Sequence, residues 1–403
     1  MKGTAASRRE HLMKQAIKQL GIGLGLVLAG LASQGRAQSS PQQVAGNGWQ
    51  ALTKTSPAVA VGVNQTEFVA WKGANSKYIY FSMFNGSEWT TQQVVGGGTY
   101  PNLWSAETTT APGLTAIGGG SEYVMALVWV ATKGDAIELS YWDGASWSEP
   151  VEVSGTGWAA ETKKPPTVNI FTLSAPVIVW KGASSDDLWY TYNTNPGWQE
   201  QQIIGGSSWT GESNVAPALE GPATDTQAFL YWKGASSNRI WTTQMPGAGI
   251  DVTWYPQTEV SCNDPKWAAE TTLSPSAGGY FPPKNPSAYD VVVWVGASTY
   301  DIWYTYDGNT GSCQWAQEQF VSGNDWTMAA QTDLAPSLAF DCGSCGNNDS
   351  TGAILAWKNA FDDTIWFINP LTLPGLSSLP GAGVQSKPLD QPKNLGALKM
   401  GNH

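Results

Sequence analysis

Trp180-Lys181-Gly182-Ala183-Ser184-Ser185-Asp186-Asp187-Leu188-Trp189-Tyr190 is one of six versions of a single phrase. Close copies run from Trp232-Lys233-Gly234-Ala235-Ser236-Ser237 to Trp241, and from Trp294-Val295-Gly296-Ala297-Ser298-Thr299 to Trp303. Weaker copies start at Trp71, Trp129 and Trp357. Successive copies lie about 50 to 60 residues apart, the length of one four-stranded supersecondary unit.

Each unit reads as four short strands. The first follows a proline, as in Ala216-Pro217-Ala218-Leu219, and is built of small residues suited to a crowded inner position. The second is apolar on both faces, as in Val177-Ile178-Val179-Trp180, which predicts a strand sandwiched between neighbouring sheets. The third carries the second tryptophan. A tight turn with Asn85-Gly86, Asp143-Gly144 or Asp307-Gly308 follows it. The fourth reads Gln201-Gln202-Ile203-Ile204. Repeats of this kind predict an all-β, six-bladed β-propeller. The last unit has no fourth strand of its own, but Pro41-Gln42-Gln43-Val44 matches the missing piece. Residues 40–45 are therefore expected to complete the last blade and close the ring, which removes the open sheet edges.

A second motif lies in the loop crossing from one unit to the next. It reads Trp104-Ser105-Ala106-Glu107, Trp158-Ala159-Ala160-Glu161, Trp209-Thr210-Gly211-Glu212 and Trp267-Ala268-Ala269-Glu270. The copy at Trp326 is stretched and carries Gln331; the copy at Trp49 carries Leu52. An indole beside planar polar groups suits sugar recognition, because the C–H face of a pyranose stacks on an aromatic ring. These residues are the candidate ligand-binding set, with four good sites at the glutamates. The competing reading is structural: the tryptophans staple the crossing between blades, and the glutamates pair across blades with Lys72, Lys181 and Lys233.

Residues 1–37 read as a signal peptide. Ser7-Arg8-Arg9-Glu10-His11-Leu12 resembles a twin-arginine motif, and Gly35-Arg36-Ala37 offers small residues for cleavage. The propeller is assigned to residues 38–370, and a Pro- and Gly-rich tail, 371–403, is expected to be mobile. The protein is expected to be secreted or periplasmic, without membrane insertion after cleavage. Beyond residue 37 the chain keeps 15 of its 21 Lys and Arg and 31 of its 32 Asp and Glu, a net charge of −16. That argues against nucleic acid, whose phosphates need cationic partners.

Arg239 is the only arginine after residue 37, and His403 the only histidine. Histidine-based triads and zinc sites are excluded. From this the chain is expected not to be an enzyme and to need no cofactor. Asn347-Asn348-Asp349 is calcium-like only in composition. Cys262, Cys313, Cys342 and Cys345 permit three pairings, of which Cys342–Cys345 and Cys262–Cys313 are favoured.

The repeat region resembles tandem-repeat β-propeller lectins, such as the six-bladed fucose lectins and tectonin-like proteins. Trp180-Lys181-Gly182, Asp187-Leu188-Trp189-Tyr190, Gln201-Gln202-Ile203 and the Trp209–Glu212 loop carry the resemblance. It implies glycans or glycoconjugates as partners. Fucose lectins place an arginine in each sugar site, so their binding residues do not carry over to a chain with Arg239 alone. Ser140-Tyr141-Trp142-Asp143-Gly144-Ala145-Ser146-Trp147 is similar to a sialidase Asp-box with altered spacing. Sialidases bind the substrate carboxylate with three arginines, which counts against that substrate here. The expected function is a lectin-like carbohydrate-binding propeller. The alternatives are a carboxylate-based glycoside-active enzyme, for which Glu138, Asp186, Asp187, Asp362 and Asp363 are the off-pattern acids, and a protein-binding scaffold.

Overall fold

The structure is a computed structural model, and it describes residues 40–371 apart from 63–65, 98–103, 118–123, 172–174, 195–196, 221–227, 246–253, 262–266, 281–288, 308–314, 322–329 and 341–352. The signal peptide, the tail, the four cysteines, Trp326 and the Asn347–Asp349 segment lie outside the described residues.

The described chain is all β, arranged as six antiparallel four-stranded blades. Blade 3 shows the pattern: an inner strand Thr167–Phe171, a second strand Ala175–Lys181, a third Leu188–Thr194 and an outer Gln202–Ile203. The second strands are buried along nearly their whole length because each is covered on both faces by neighbouring blades. Their tryptophans, Trp71, Trp129, Trp180, Trp232, Trp294 and Trp357, are at most 3% exposed and form the seams between blades.

Ring closure is as the sequence implied. Gln42–Gln43 pairs antiparallel with Ile365–Leu371, with Gln42 opposite Phe367 and Gln43 opposite Trp366. Val44 beside them is completely buried. The Gln-Gln motif also has a local reason. Tyr190 and Tyr304 of third strands donate to Gln202 and Gln319 of the outer strands, at 2.8 and 2.7 Å.

At the centre, the first residue of an inner strand ties neighbouring blades together. Ser337 Oγ accepts from the Val59 amide at 3.0 Å, Thr167 Oγ1 from Leu219 at 3.3 Å and Ser276 Oγ from Leu338 at 3.0 Å. The third-to-fourth-strand turns use glycine where φ is positive, at Gly86 (93°) and Gly144 (100°). In the second of these turns the Asp143 carboxylate accepts from the Ala145 and Ser146 amides, both at 2.7 Å. Those bonds hold its carboxyl below the usual aspartate range. The Asp-box-like stretch is thus a turn clasp.

Candidate functional site

The crossing-loop motif divides into parts with different duties. Its tryptophan lies flat against the core tryptophan of the blade it leads into. Trp49 stacks on Trp71 (6.4 Å between ring centroids, planes 5° apart), Trp104 on Trp129 (6.5 Å, 6°) and Trp209 on Trp232 (6.4 Å, 10°). A glycine lies under each of these indoles: a Cβ at Gly206 would come within 2.6 Å of the Trp209 ring nitrogen, and Gly46, Gly96 and Gly155 are equally crowded. Trp158 and Trp267 are likewise half-buried against the seams.

The residue after the glutamate is a buried hydroxyl in every copy. Thr53, Thr108, Thr162, Ser213, Thr271 and Thr332 are 0% exposed, and each accepts from the amide two residues on, at 3.1–3.2 Å. The glutamate side chains themselves remain accessible: Glu161, Glu212 and Glu270 are exposed and Glu107 is half-buried. Their backbones pair with the preceding blade, Glu107 with Tyr78, Glu161 with Ala136, Glu212 with Asp187, Glu270 with Arg239, and Gln331 with Asp301. The motif therefore sets a carboxylate or amide at each of these blade seams.

The lysine–glutamate pairing across blades, the competing reading of the motif, is not seen. Among the described ion pairs none joins Lys72 to Glu107, Lys181 to Glu212 or Lys233 to Glu270. The lysines turn back on their own strand ends. Lys233 donates to the Gly234 carbonyl at 2.9 Å and to Asn214 at 3.0 Å, and Lys358 to the Asn359 carbonyl and Asp333, both at 2.9 Å. Asn214 and Asp333 stand two residues beyond the loop Glu212 and Gln331, within the same blade. Arg239 is taken up by Glu259 at 2.7 Å and Glu270 at 3.7 Å.

One groove departs from the pattern. The third-strand residue opposite each core tryptophan is Tyr80, Trp189, Trp241, Trp303 or Trp366, but in blade 2 it is Glu138, in register with Trp129. Glu138 lies on the sheet face turned to blade 1, the face on which Trp104 stacks over Trp129. Glu152 of the outer strand stands directly across from it and is exposed. Burial pushes the Glu138 carboxyl above the ordinary glutamate range; a hydrogen bond with the Trp129 side chain opposes the rise and the negative Glu152 adds to it.

A second group of acids was not legible as a unit. Glu220 ends the inner strand of blade 4, Asp290 is the second residue of the second strand of blade 5, and Tyr231 faces the same seam. Glu220 is 3%, Asp290 6% and Tyr231 0% exposed. No cationic side chain reaches them in the described ion pairs. Burial, and then Asp290, drives Glu220 well above the usual range, while burial, and then the charge of Asp307, pushes Asp290 up to about 7, so the pair holds a proton at neutral pH. Glu220 stands where the sister blades have Ala60, Thr115, Asn169, Gly278 and Ala339, as their strand registers show. The phase of the repeat was the available signal. No group of three or more potential metal ligands occurs among the described residues.

No family model and no curated protein matches the chain. Solved structures match in fold. A Hadza microbial sialidase superposes with a TM-score of 0.53 at 10% identity, covering 78% of this chain and 65% of that one. A leech intramolecular trans-sialidase in complex with 2,7-anhydro-Neu5Ac superposes with 0.50 at 11% identity, covering 81% and 68%. This chain thus spans just under two thirds of the sialidase. The likeness corrects the expectation that the chain is no enzyme: this propeller architecture carries glycoside-active enzymes. The lack of any histidine between residue 37 and His403, from which that expectation came, counts against triads and histidine-based zinc sites but not against chemistry by carboxylates.

Proposed function

We propose that this protein is a glycan-directed propeller with a glycoside-active carboxylate pair, Glu138 and Glu152, in the groove between blades 1 and 2. The observation that carries the reading is Glu138 itself: a half-buried acid with a raised pKa, in a position that the other five blades give to an aromatic ring. A carboxyl that burial makes hold its proton to higher pH than an ordinary glutamate is suited to general acid work. Opposed cross-strand side chains start about 4.5–5.5 Å apart at Cβ, which favours the closer carboxyl spacing of a retaining reaction, about 5–5.5 Å. Glu138 protonates the glycosidic oxygen as its bond to the anomeric carbon breaks. Glu152 attacks that carbon. Water, deprotonated by Glu138, then displaces Glu152, which restores both groups.

The open edge of Trp104 and the carboxylate of Glu107 supply binding contacts for the sugar in this groove. The corresponding pairs Trp158/Glu161, Trp209/Glu212 and Trp267/Glu270, together with Trp326/Gln331, serve as ancillary binding positions without the off-pattern acid. Arg239, already neutralised by two glutamates, and the acidic surface favour neutral over anionic sugars. The test is release of reducing sugar from a panel of neutral oligosaccharides. Loss of turnover in both Glu138→Gln and Glu152→Gln, with folding retained, supports the pair; turnover unchanged in either variant removes it.

A further inference from the structure

Among the described residues, large exposed aromatic side chains on the face that carries the crossing loops are confined to three consecutive blades. Tyr300 of blade 5 is 54% exposed, Phe361 of blade 6 is 71% and Tyr78 of blade 1 is 40%. Each stands on the turn between the second and third strands. Leu52, at 40%, lies between the last two on the crossing loop into blade 1. The same turns in the other blades present Lys133 and Asp135, Ser184 and Ser185, or Ser236 and Ser237.

The six turns are otherwise closed alike, by an amide-to-carbonyl bond from the residue two beyond the core tryptophan to the residue seven beyond it. These bonds are Gly73 to Tyr78 (3.0 Å), Ala131 to Ala136 (2.8 Å), Gly182 to Asp187 (2.9 Å), Gly234 to Arg239 (3.0 Å), Gly296 to Asp301 (3.1 Å) and Asn359 to Thr364 (2.9 Å). Blades with serine at the tip make the same turn, so the turn does not require the rings. An aromatic side chain held in water also forgoes the stabilisation that burial would give it.

The three turns are joined by hydrogen bonds into one surface. The Thr332 amide bonds to the Tyr300 carbonyl at 2.8 Å, and Gln331 Nε2 to Asp301 Oδ1 at 2.9 Å. The Ala360 amide bonds to the Gln331 carbonyl at 3.2 Å, the Thr53 amide to Asp363 at 2.8 Å and the Ala74 amide to Leu52 at 2.9 Å. Tyr78 then pairs with Glu107, three residues from the Trp104 that walls the blade 2 groove.

We propose that Tyr300, Phe361, Leu52 and Tyr78 form a stacking track for one extended neutral glycan chain, leading around blades 5, 6 and 1 to the Glu138 groove. The inference rests on the glycan-directed reading above. Separate rings interleaved with carboxylates and amides match alternating pyranose faces and hydroxyls better than a continuous apolar protein surface. The polar groups are Asp301, Gln331, Asp333, Asp362 and Asp363. Four of these five are acids, which selects against anionic polymers. The crossing loops with the weakest match to the Trp-x-Ala-Glu pattern, those carrying Leu52 and Gln331, are the ones that lie on the track.

The test is depletion of the protein from solution by insoluble cellulose, chitin, xylan and mannan, with alginate beads as the anionic comparison. Tyr300→Ala, Phe361→Ala and Tyr78→Ala are each expected to weaken binding to the retained neutral polymer by roughly threefold to tenfold. Tyr255→Ala, which removes a ring 50% exposed by the third-to-fourth-strand turn of blade 4, is expected to bind like the parent. Unchanged binding in all three track variants, an equal loss in Tyr255→Ala, or a preference for alginate overturns the track. Turnover of soluble neutral oligosaccharides by the parent protein, measured alongside, separates the two proposals. Turnover with track-independent binding removes the track alone, and neither binding nor turnover on any neutral glycan removes both.

Discussion

Glu138 stands in register with Trp129, a completely buried tryptophan on the neighbouring strand of blade 2, and so occupies a place that an aromatic ring fills in every other blade. The fold prefers a ring there, because a ring covers the edge of the core indole. The acid departs from that pattern, and its contact with the core indole is polar, a hydrogen bond with the Trp129 side chain. Glu138→Trp is expected to raise stability by about 0.5–2 kcal/mol, as consensus replacements do, while abolishing turnover. Glu138→Gln is expected to lower the rate roughly 100- to 10,000-fold with little change in melting temperature. Thermal melts and initial rates on one oligosaccharide decide between catalytic and purely structural roles.

The same carboxyl predicts a pH profile. Its raised pKa keeps the proton above the pH at which an ordinary glutamate loses it. Activity that needs protonated Glu138 therefore falls as pH rises through that raised value. Carboxyl-resolved NMR titration is expected to show Glu138 as a high-titrating glutamate. Glu152→Gln is expected to lower its value, because the Glu152 charge is one cause of the rise. A value unmoved by that substitution would mean the two side chains do not face each other.

Glu220 and Asp290 tie stability to pH with a definite sign. Their folded values lie above the unfolded values of about 4, with Asp290 at about 7. The native state therefore holds a proton that the unfolded chain has released. The stabilisation is complete below pH 4 and is lost as pH rises from there through about 7. The urea midpoint of the parent is expected to fall across this window more steeply than that of Asp290→Asn. Parallel slopes would show that the pair does not share a proton.

The stacked crossing-loop tryptophans predict a structural cost even where they also touch a ligand. Trp209→Ala removes a ring lying parallel to Trp232 and is expected to cost about 3 kcal/mol. Gly206→Ala, which drives a methyl group into the same indole, is expected to shift the melt in the same direction. Near-ultraviolet circular dichroism is expected to lose part of its tryptophan signal in both. A silent Gly206→Ala variant would contradict the close approach.

Ring closure is testable at Val44. Placing an unpaired charge at this fully buried position, Val44→Asp, is expected to cost several kcal/mol. Amide exchange is expected to quicken first in Ile365–Leu371, the strand that Gln42–Gln43 covers, ahead of the second strands of blades 3 and 4. Uniform exchange across all blades would mean that closure does not depend on this strand.

The repeated phrase was enough to place nearly every strand, because a residue recurring six times in phase marks a position that the architecture needs. The match between Gln42-Gln43-Val44 and Gln202-Ile203-Ile204 is enough to locate the closing strand. The same recurrence misled over Lys72, Lys181 and Lys233. Their counts fitted pairing across blades, but phase gives no direction at a seam, and the strand-end carbonyls lay closer. Recurrence also hid the division of labour in the crossing loop, where the buried Thr108, Thr162 and Ser213 clasp the turn and the glutamate beside them is left to solvent.

By itself the sequence determined an all-β ring of six units, its closure by the strand near residue 42, and an acidic composition with no histidine between residue 37 and His403. Those properties follow from periodicity and composition, which are one-dimensional. Only the tertiary structure decided which deviations from the repeat meet. Glu220 and Asp290 lie in different blades and at different positions in the repeat, and they touch because the face of one blade packs against the opposite face of the next. Tyr300, Phe361 and Tyr78 are linked along one rim by the crossing loops between blades, and strand pairing within blade 2 sets Glu152 across from Glu138 at the seam with blade 1. A seam joins two unlike surfaces, so what gathers there is fixed by the packing of blades and not by the order of residues along the chain.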